Sequence, residues 1–467
     1  MKKEEKLTPG LPSGFEDRWN KQLSLKKKII EIIENNFLKF GFSALETPSF
    51  EIGKNIGSFL ADDEDNSMSD VFTFNDGNEK ITLRYDLSSP LSRFVAQNYR
   101  DLPFPYKRYA IGNVWRNEKS GNARYREFTQ ADADIIGNVN PSQADAEICN
   151  LIADTLIKCG LNKKQFKVSI SNRKIIQGLI NELKIVDKSQ ELKVIRAIDK
   201  LDRVGLKGVE DLLKKERLDS SGAVTKGADL SKTQASEIIN FLKINNLKDL
   251  KSVLKNSLSI EGIKEIENLL EIISYGKYQE FIQTNFNIVR GLAYYDGFCV
   301  ETNLNFKVKN RKGKEVDIGS IASGGRYDKL ISRFKGTDFP GTGMSIGVDR
   351  LLFVLNQISS IKAKNNEPVL ICILDSKYLK NYYETLDYLR ENGINSELYL
   401  DPSKNLKKQL TYADKKGCSI AVIVGESEIK ENKFTLKNLK SSKENDQITV
   451  AKESLIDEIK KIIWKNS

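Results

Sequence analysis

The 467-residue chain contains no histidine. That absence excludes Ser-His-Asp and Cys-His triads, His-ligated zinc and imidazole acid–base catalysis from anything the chain does alone. Any catalysis runs on arginine, lysine, carboxylates, tyrosines and groups that a substrate brings. Cysteine is scarce as well. Cys149, Cys159, Cys299, Cys372 and Cys418 are scattered with no C-x-x-C pair, which argues against a disulfide framework and a cysteine metal cluster. No metal ligands are assigned. No apolar run approaches the roughly 20 residues that a membrane span needs; the clearest, Val369 to Leu374, is strand-sized. The opening MKKEEKLTPG carries acids and lacks an apolar core, so no secretory leader and a cytoplasmic location are expected. A G-x-x-x-x-G-K-[ST] phosphate loop is also missing.

What is present suits a large folded protein. The length corresponds to about three domains at roughly 150 residues each. Hydrophobic residues make up 39% and charged residues 30%, enough for a sizeable core. The formal charge is +10 and the pI about 9.0, compatible with a polyanionic partner and equally with a lysine-rich protein that has none.

Residues 21 to 40 read as an amphipathic helix with Ile29, Ile33, Phe37 and Phe40 on one stripe, stopped by Gly41. Residues 80 to 140 read as antiparallel strands without a helix-length crossover, followed by a helix from about Ser142 to Cys159 and a strand at Phe166 to Ile170. Residues 174 to 280 are rich in leucine, isoleucine and lysine at helical spacing. Over 161–280, 23 Lys+Arg face 17 Asp+Glu, which fits an ordinary solvated helical domain or a nucleic-acid clamp. Strand-like text resumes at 286–304 and 314–327. A glycine-rich stretch, GTGMSIGVDRLLFVL, then leads into a helix. The polar segment 356–367 makes a linker. Beyond Glu367, VLICIL, a helix over 377–392, NSELYL, a helix over 403–416 and SIAVIVG alternate as a small doubly wound domain with a parallel sheet.

Arginine placement is the informative feature. In RNEKSGNARYREFTQADAD, Arg116, Arg124 and Arg126 surround a short polar loop with Glu118 between two strand-like runs. Guanidinium forks match phosphate oxygens, so this hairpin reads as a polyphosphate grip or, more plainly, as exposed surface arginines. Further on stand RGLAYY with Arg290, Tyr294 and Tyr295, then SGGRYD with Tyr327, then GMSIGVDRL with Arg350.

The order GFSALETPSFE, LRYDLSSP, the arginine hairpin, RGLAYY, GGRYD and GMSIGVDRL resembles histidyl-tRNA synthetase, a class II aminoacyl-tRNA synthetase. The resemblance spans nearly the whole chain. It includes YLRENGINSELY and YADKKGCSIAVIVGESE, which resemble the family's anticodon-binding domain. LRYDLSSP and TQADADIIG look closest to the eukaryotic-type branch. The resemblance implies an α+β fold: a class II antiparallel sheet core over 1–357 with a helical insertion at about 183–277. A linker at 358–366 and an α/β anticodon-binding domain at 367–467 complete it. It implies ATP-dependent ligation of L-histidine to tRNA(His) through histidyl-adenylate, with Mg2+ accompanying ATP, and a homodimer in the cytoplasm with no membrane association.

By match to the family, Arg116 holds the α-phosphate with Glu118 nearby, and Phe128 stacks on adenine. Arg124 and Arg350 grip the outer phosphates. Arg290 bridges the substrate carboxylate and the α-phosphate, and Arg290 and Arg116 are the catalytic pair. Asp86, Ser88 and Gln130 hold the α-amine, Asp134 and Tyr295 the imidazole, and Tyr294 and Tyr327 complete the histidine site. The chain departs from the family with Ala293 where aspartate is usual and with KSGNARYR in the motif 2 loop, which bears on reading an extra 5′ guanosine. Asn117 and Thr129 stand where many bacterial enzymes have histidine. Two other readings remain: a histidine-sensing paralogue resembling the regulatory subunit of ATP phosphoribosyltransferase, and a nucleic-acid-binding protein without catalysis.

Overall fold

The computed structural model describes residues 8–55, 71–121, 123–214, 216–218, 224–289, 295–310, 312–335, 339–358, 367–401, 403–441 and 446–465. The chain divides into two compact units, Met1–Lys362 and Ala363–Ser467.

The first unit opens with helix α1 (Asn20–Lys39), whose Leu25, Ile29, Ile33 and Phe37 recur every four residues and are buried. Each such side chain contributes about 1.5–3 kcal/mol when withdrawn from water. Gly41, at φ +79°, takes the left-handed conformation that ends the helix. An eight-stranded sheet follows, built from β1 (Ser43–Ala44), β2 (Tyr106–Trp115), β3 (Glu127–Ile136), β4 (Phe166–Asn172), β5 (Ile282–Thr284), β6 (Phe298–Leu304), β7 (Ala322–Arg326) and β8 (Gly341–Gly347). The strands lie in the order β1-β2-β3-β8-β7-β6-β4-β5. Only the two outermost pairs, β1 with β2 and β4 with β5, are parallel.

Helix α2 (Ser88–Asn98) corrects the expectation of uninterrupted strands between 80 and 140. Its text, SSPLSRFVAQN, resembles a turn. Pro90 nonetheless falls in the first helical turn, where a missing N–H costs nothing, and Leu91 and Val95 share one buried face. Helix α3 (Pro141–Lys158) starts at Asn140, whose side chain accepts the Gln143 amide at 3.1 Å, and ties to α1 through Asn36 donating to Thr155 at 2.9 Å. Arg326 at the end of β7 fastens the sheet to α3, donating to Asp145 and to the Pro141 carbonyl at 2.8 Å each. Helix α4 (Val348–Ile358) follows β8.

Between β4 and β5 lies a run of helices that includes the segment 183–277. Helices Arg173–Glu182 and Ser257–Ser274 cross closely, because a Cβ on Gly178 would fall on Ser259. Helices Lys188–Asp199, Leu201–Leu213, Lys232–Phe241 and Leu247–Val253 complete it, with a short hairpin of Glu216–Leu218 and Val224–Lys226 that helical periodicity does not anticipate. In the strand-like text 286–304 only β6 is strand among the described residues. In 314–327 the strands are Glu315–Val316 and β7.

The second unit holds β9 (Val369–Cys372), β10 (Ser396–Leu398), β11 (Ile420–Ile423), β12 (Lys433–Asn438) and β13 (Gln447–Ala451), in the order β10-β9-β11-β12-β13. The first three are parallel, with helices Leu379–Glu391 and Leu406–Lys416 as crossovers. The last two are antiparallel, so the sheet is mixed where a parallel one was expected. The links 424–432 and 439–446 are shorter than the dozen or more residues a parallel crossover requires.

Candidate active site

Strand alternation decides which residues meet. On β3, Phe128, Gln130, Asp132 and Asp134 share one face, beside Val114, Gly112, Ala110 and Arg108 of β2. From the other side β8 supplies Gly347, Ser345 and Gly343 in register, and β7 continues with Ser323 and Gly325. The result is a floor of small residues with a row of long side chains along one strand. Gly343 leaves room for the Asp134 carboxylate, and Gly112 for the Arg84 guanidinium; a Cβ at either would collide. Arg326 and Thr342 alternate to the opposite face, the one α3 covers. From Phe128 to Asp134 the row runs about 20 Å, at roughly 3.3 Å per residue, long enough for two substrates end to end.

The Asp134 end is acidic and buried. Arg108 Nη2 lies 2.8 Å from Asp134 Oδ2, with side-chain exposures of 0% and 2%. The Tyr327 hydroxyl donates to Asp134 Oδ1. Arg108 also donates to the Leu87 carbonyl at 3.0 Å, tying the loop that carries Asp86 to β2. Asp86 Oδ1 accepts the Ser89 amide at 2.8 Å at the start of α2, whose first residue is Ser88. Tyr295 is buried with its ring against Gly325. Burial is the main force raising the Asp134 pKa; Asp86 adds to it, while Arg108 and Tyr327 oppose it. Asp132 is pushed up to about 7, first by burial and then by Asp134 and Asp86 against the pull of Arg108 and Ser345. Burial likewise drives the Tyr327 phenol well above its usual range.

The Phe128 end is cationic. The Arg116 guanidinium sits 4.3 Å from the Tyr85 ring centroid and 5.2 Å from that of Phe128, and its Nε donates to the Tyr85 carbonyl at 3.3 Å. Glu118 lies 3.8 Å from Arg116 and 3.9 Å from Arg124, and accepts the Tyr85 hydroxyl at 3.0 Å. Reciprocal backbone bonds between Gly121 and Arg124 close the turn of the hairpin. Arg350, in the first turn of α4, donates to the Ser320 carbonyl. Its pKa is pushed down to about 10, by burial first and then by the charges of Arg124 and Arg116. Three guanidiniums that repel one another with few counter-charges form a site ready for a polyanion.

The structure therefore gathers Asp86, Ser88, Asp134, Tyr295 and Tyr327 at one end, with Gln130 between the two ends on β3. Arg116, Glu118, Arg124, Phe128 and Arg350 meet at the other. Arg290 and Tyr294 lie outside the described residues. Arg108, Asp132 and Asp349 are further contributors that the motifs do not announce. Asp349 turns away from Arg350 to pair with Lys26 at 2.9 Å and Arg18 at 3.1 Å, and accepts the Thr129 amide at 2.6 Å, fixing α4 to α1 and β3. For Arg108 and Asp132 the available signal was a charged residue at an inward-facing position of apolar strand text.

Residues 14–351 match the family described as Histidyl-tRNA synthetase, and residues 368–462 match the one described as Anticodon binding domain. A histidine--tRNA ligase of Pelagibacter ubique (strain HTCC1062) is 70% identical over 466 residues, 99% of this chain and 100% of its own length. One from Bartonella bacilliformis is 40% identical over 94% of this chain and 90% of its own. The crystal structure of histidyl-tRNA synthetase from Nostoc sp. PCC 7120 superimposes with a TM-score of 0.75 at 26% identity, covering 98% of this chain and 100% of that one. These relatives are bacterial, so the likeness of LRYDLSSP and TQADADIIG to the eukaryotic-type branch finds no support in them. With family matches across both units and close relatives spanning almost every residue, the chain belongs to the histidyl-tRNA synthetase family.

Proposed function

We propose that the sheet face holds L-histidine at its acidic end and ATP at its arginine end, with the reacting carboxylate and α-phosphate between them. The chain ligates L-histidine to tRNA(His) in two steps. A histidine carboxylate oxygen attacks the α-phosphorus and the bond to pyrophosphate breaks, leaving histidyl-adenylate. A terminal ribose hydroxyl of the tRNA then attacks the acyl carbon and AMP departs. Neither step needs a protein nucleophile, so a chain without histidine can run both on positioning and charge stabilisation.

The observation that carries this reading is the polarity of the face: buried carboxylates at one end and three guanidiniums at the other. Arg116, clamped between Tyr85 and Phe128, is oriented for the α-phosphate, and Phe128 offers a ring to adenine. Arg124 and Arg350 take the outer phosphates. Arg290, by family match, spans the carboxylate and the α-phosphate, where negative charge develops. Asp86, Ser88 and Gln130 receive the α-ammonium. Asp134, Tyr295 and Tyr327 face the imidazole, and Tyr294 belongs to the histidine site by family match; a carboxylate and phenols can satisfy both ring nitrogens where an apolar pocket cannot. Magnesium would enter with the nucleotide and offset phosphate charge. Glu118 and Glu301, both acting electrostatically on Arg350, would be carboxylates at this end able to hold it. The second unit binds the anticodon arm. The enzyme works as a homodimer in the cytoplasm.

A regulatory histidine-sensing paralogue is disfavoured, because the motif arginines and the anticodon-binding match are both retained. Histidine-dependent exchange of pyrophosphate into ATP, followed by charging of tRNA(His), tests the assignment. Binding of histidine without exchange would return the sensing paralogue to favour.

A further inference from the structure

We infer that Asp132 is a third acceptor for the substrate α-ammonium group, and that it lets the enzyme distinguish an amino acid from the corresponding des-amino acid. The inference rests on the reading of the acidic end as the histidine site. An ammonium presents three N–H donors. Among the described residues, the buried acceptor oxygens of this site without a hydrogen-bond partner include Asp86 Oδ2, Gln130 Oε1 and Asp132 Oδ1, beside Ser345 Oγ and the Asp134 Oδ2 that pairs ionically with Arg108. Asp86, Gln130 and Asp132 are 4%, 8% and 2% exposed. Asp86 and Gln130 already belong to the amine by family match; Asp132 is unassigned.

Its position supports the role. Asp132 stands between Gln130 and Asp134 on the same face of β3, and its ladder neighbours are Ala110 on β2 and Ser345 on β8. Both are small; Ala110 leaves the carboxylate open, and the Ser345 hydroxyl acts on it as a hydrogen-bonding group. The charged groups acting on it are Arg108, Asp134 and Asp86, and Arg84 is drawn toward it in turn. Arg108 makes its ion pair with Asp134 and its bond to the Leu87 carbonyl through Nη2, leaving Nε and Nη1 buried without a hydrogen-bond partner. Three carboxylates thus share one closely paired guanidinium in a buried space, an excess of negative charge that a bound ammonium would balance.

The test compares histidine with 3-(imidazol-4-yl)propionate, which keeps the ring and carboxylate but lacks the amine. In Asp132→Asn the Michaelis constant for histidine in pyrophosphate exchange should rise about 10- to 100-fold, the usual worth of a hydrogen bond to a charged group. The inhibition constant of the propionate should stay within about twofold, since it never makes that bond. Asp132→Ser, neutral and smaller, should show the same selective loss and is assayed in parallel in case the amide variant folds poorly. Equal weakening of both ligands, or no weakening of either, would overturn the inference. A parent enzyme that failed to exchange with histidine would instead remove the functional reading on which it rests.

Discussion

Three residues of the proposed site differ in what their loss should do. By family match Arg290 spans the substrate carboxylate and the α-phosphate, so Arg290→Ala would remove a charge where the transition state becomes more negative. It should lower the adenylation rate by roughly 10²–10³ while changing ATP binding much less. Near-parental exchange would refute its role. Asp134→Asn keeps shape but removes charge, and should raise the Michaelis constant for histidine far more than that for ATP; the opposite split would assign Asp134 to the nucleotide. Asp132 also links function to stability. Its pKa of about 7 in the fold exceeds its ordinary value of 3.8, so the folded state holds the proton more tightly than the unfolded chain. The fold therefore loses stability as pH rises from about 4 through about 7. Asp132→Asn is permanently neutral and should melt higher than the parent at pH 8, by at most a few kcal/mol at about 1.4 per pH unit, with the gap closing toward pH 4. A gap independent of pH would show that the carboxylate does not titrate in this range. A residue that weakens the fold and serves the ligand fits the usual exchange of stability for activity.

At the scale of elements, the site depends on strands that can approach without side chains between them and on helices that hold them. β8 can lie beside β3 only because Gly343 leaves space for Asp134, and α4 presents Arg350 because Asp349 is anchored behind it by Lys26 and Arg18. The insertion shows the same dependence. A methyl group on Gly178 would meet both the side chain and the backbone of Ser259. Gly178→Ala should force helices Arg173–Glu182 and Ser257–Ser274 apart and cost about 1–3 kcal/mol in thermal or denaturant unfolding. A variant as stable as the parent would mean that the two helices separate freely.

At the scale of the whole molecule, the apolar stripe of α1 is consumed inside its own subunit, where Ile29, Ile33 and Phe37 are fully covered. A surface that would suit a second copy is the small sheet of Phe50–Ile52, Thr73–Asp76 and Glu79–Leu83, beyond Pro48. There Phe50 and Phe74, 52% and 47% exposed, meet edge to face at 6.1 Å. An exposed aromatic pair on a short sheet suits an interface better than solvent. Light scattering at micromolar concentration should give about 106 kDa, twice the 52.9 kDa chain. A mass of one chain would refute the dimer.

Much of this was legible in the sequence, for a local reason. The four-residue recurrence in α1, the strand–helix alternation after Glu367 and the types and order of the motif residues are encoded within short windows, and the lack of histidine alone decided which chemistries were out of reach. Tertiary structure decided the rest. Ser88–Asn98 becomes a helix because the fold buries Leu91 and Val95, overriding a turn-like composition. The closing strands of the second unit run antiparallel because their links are short. Arg108 meets Asp134 only because β2 and β3 pair in one register, and the two meet Gly343 only because β8 returns from more than 200 residues away to lie beside β3. Alternation tells which face a side chain takes. Which distant strand supplies its neighbour is set by the packing of the whole sheet, and that pairing makes the site.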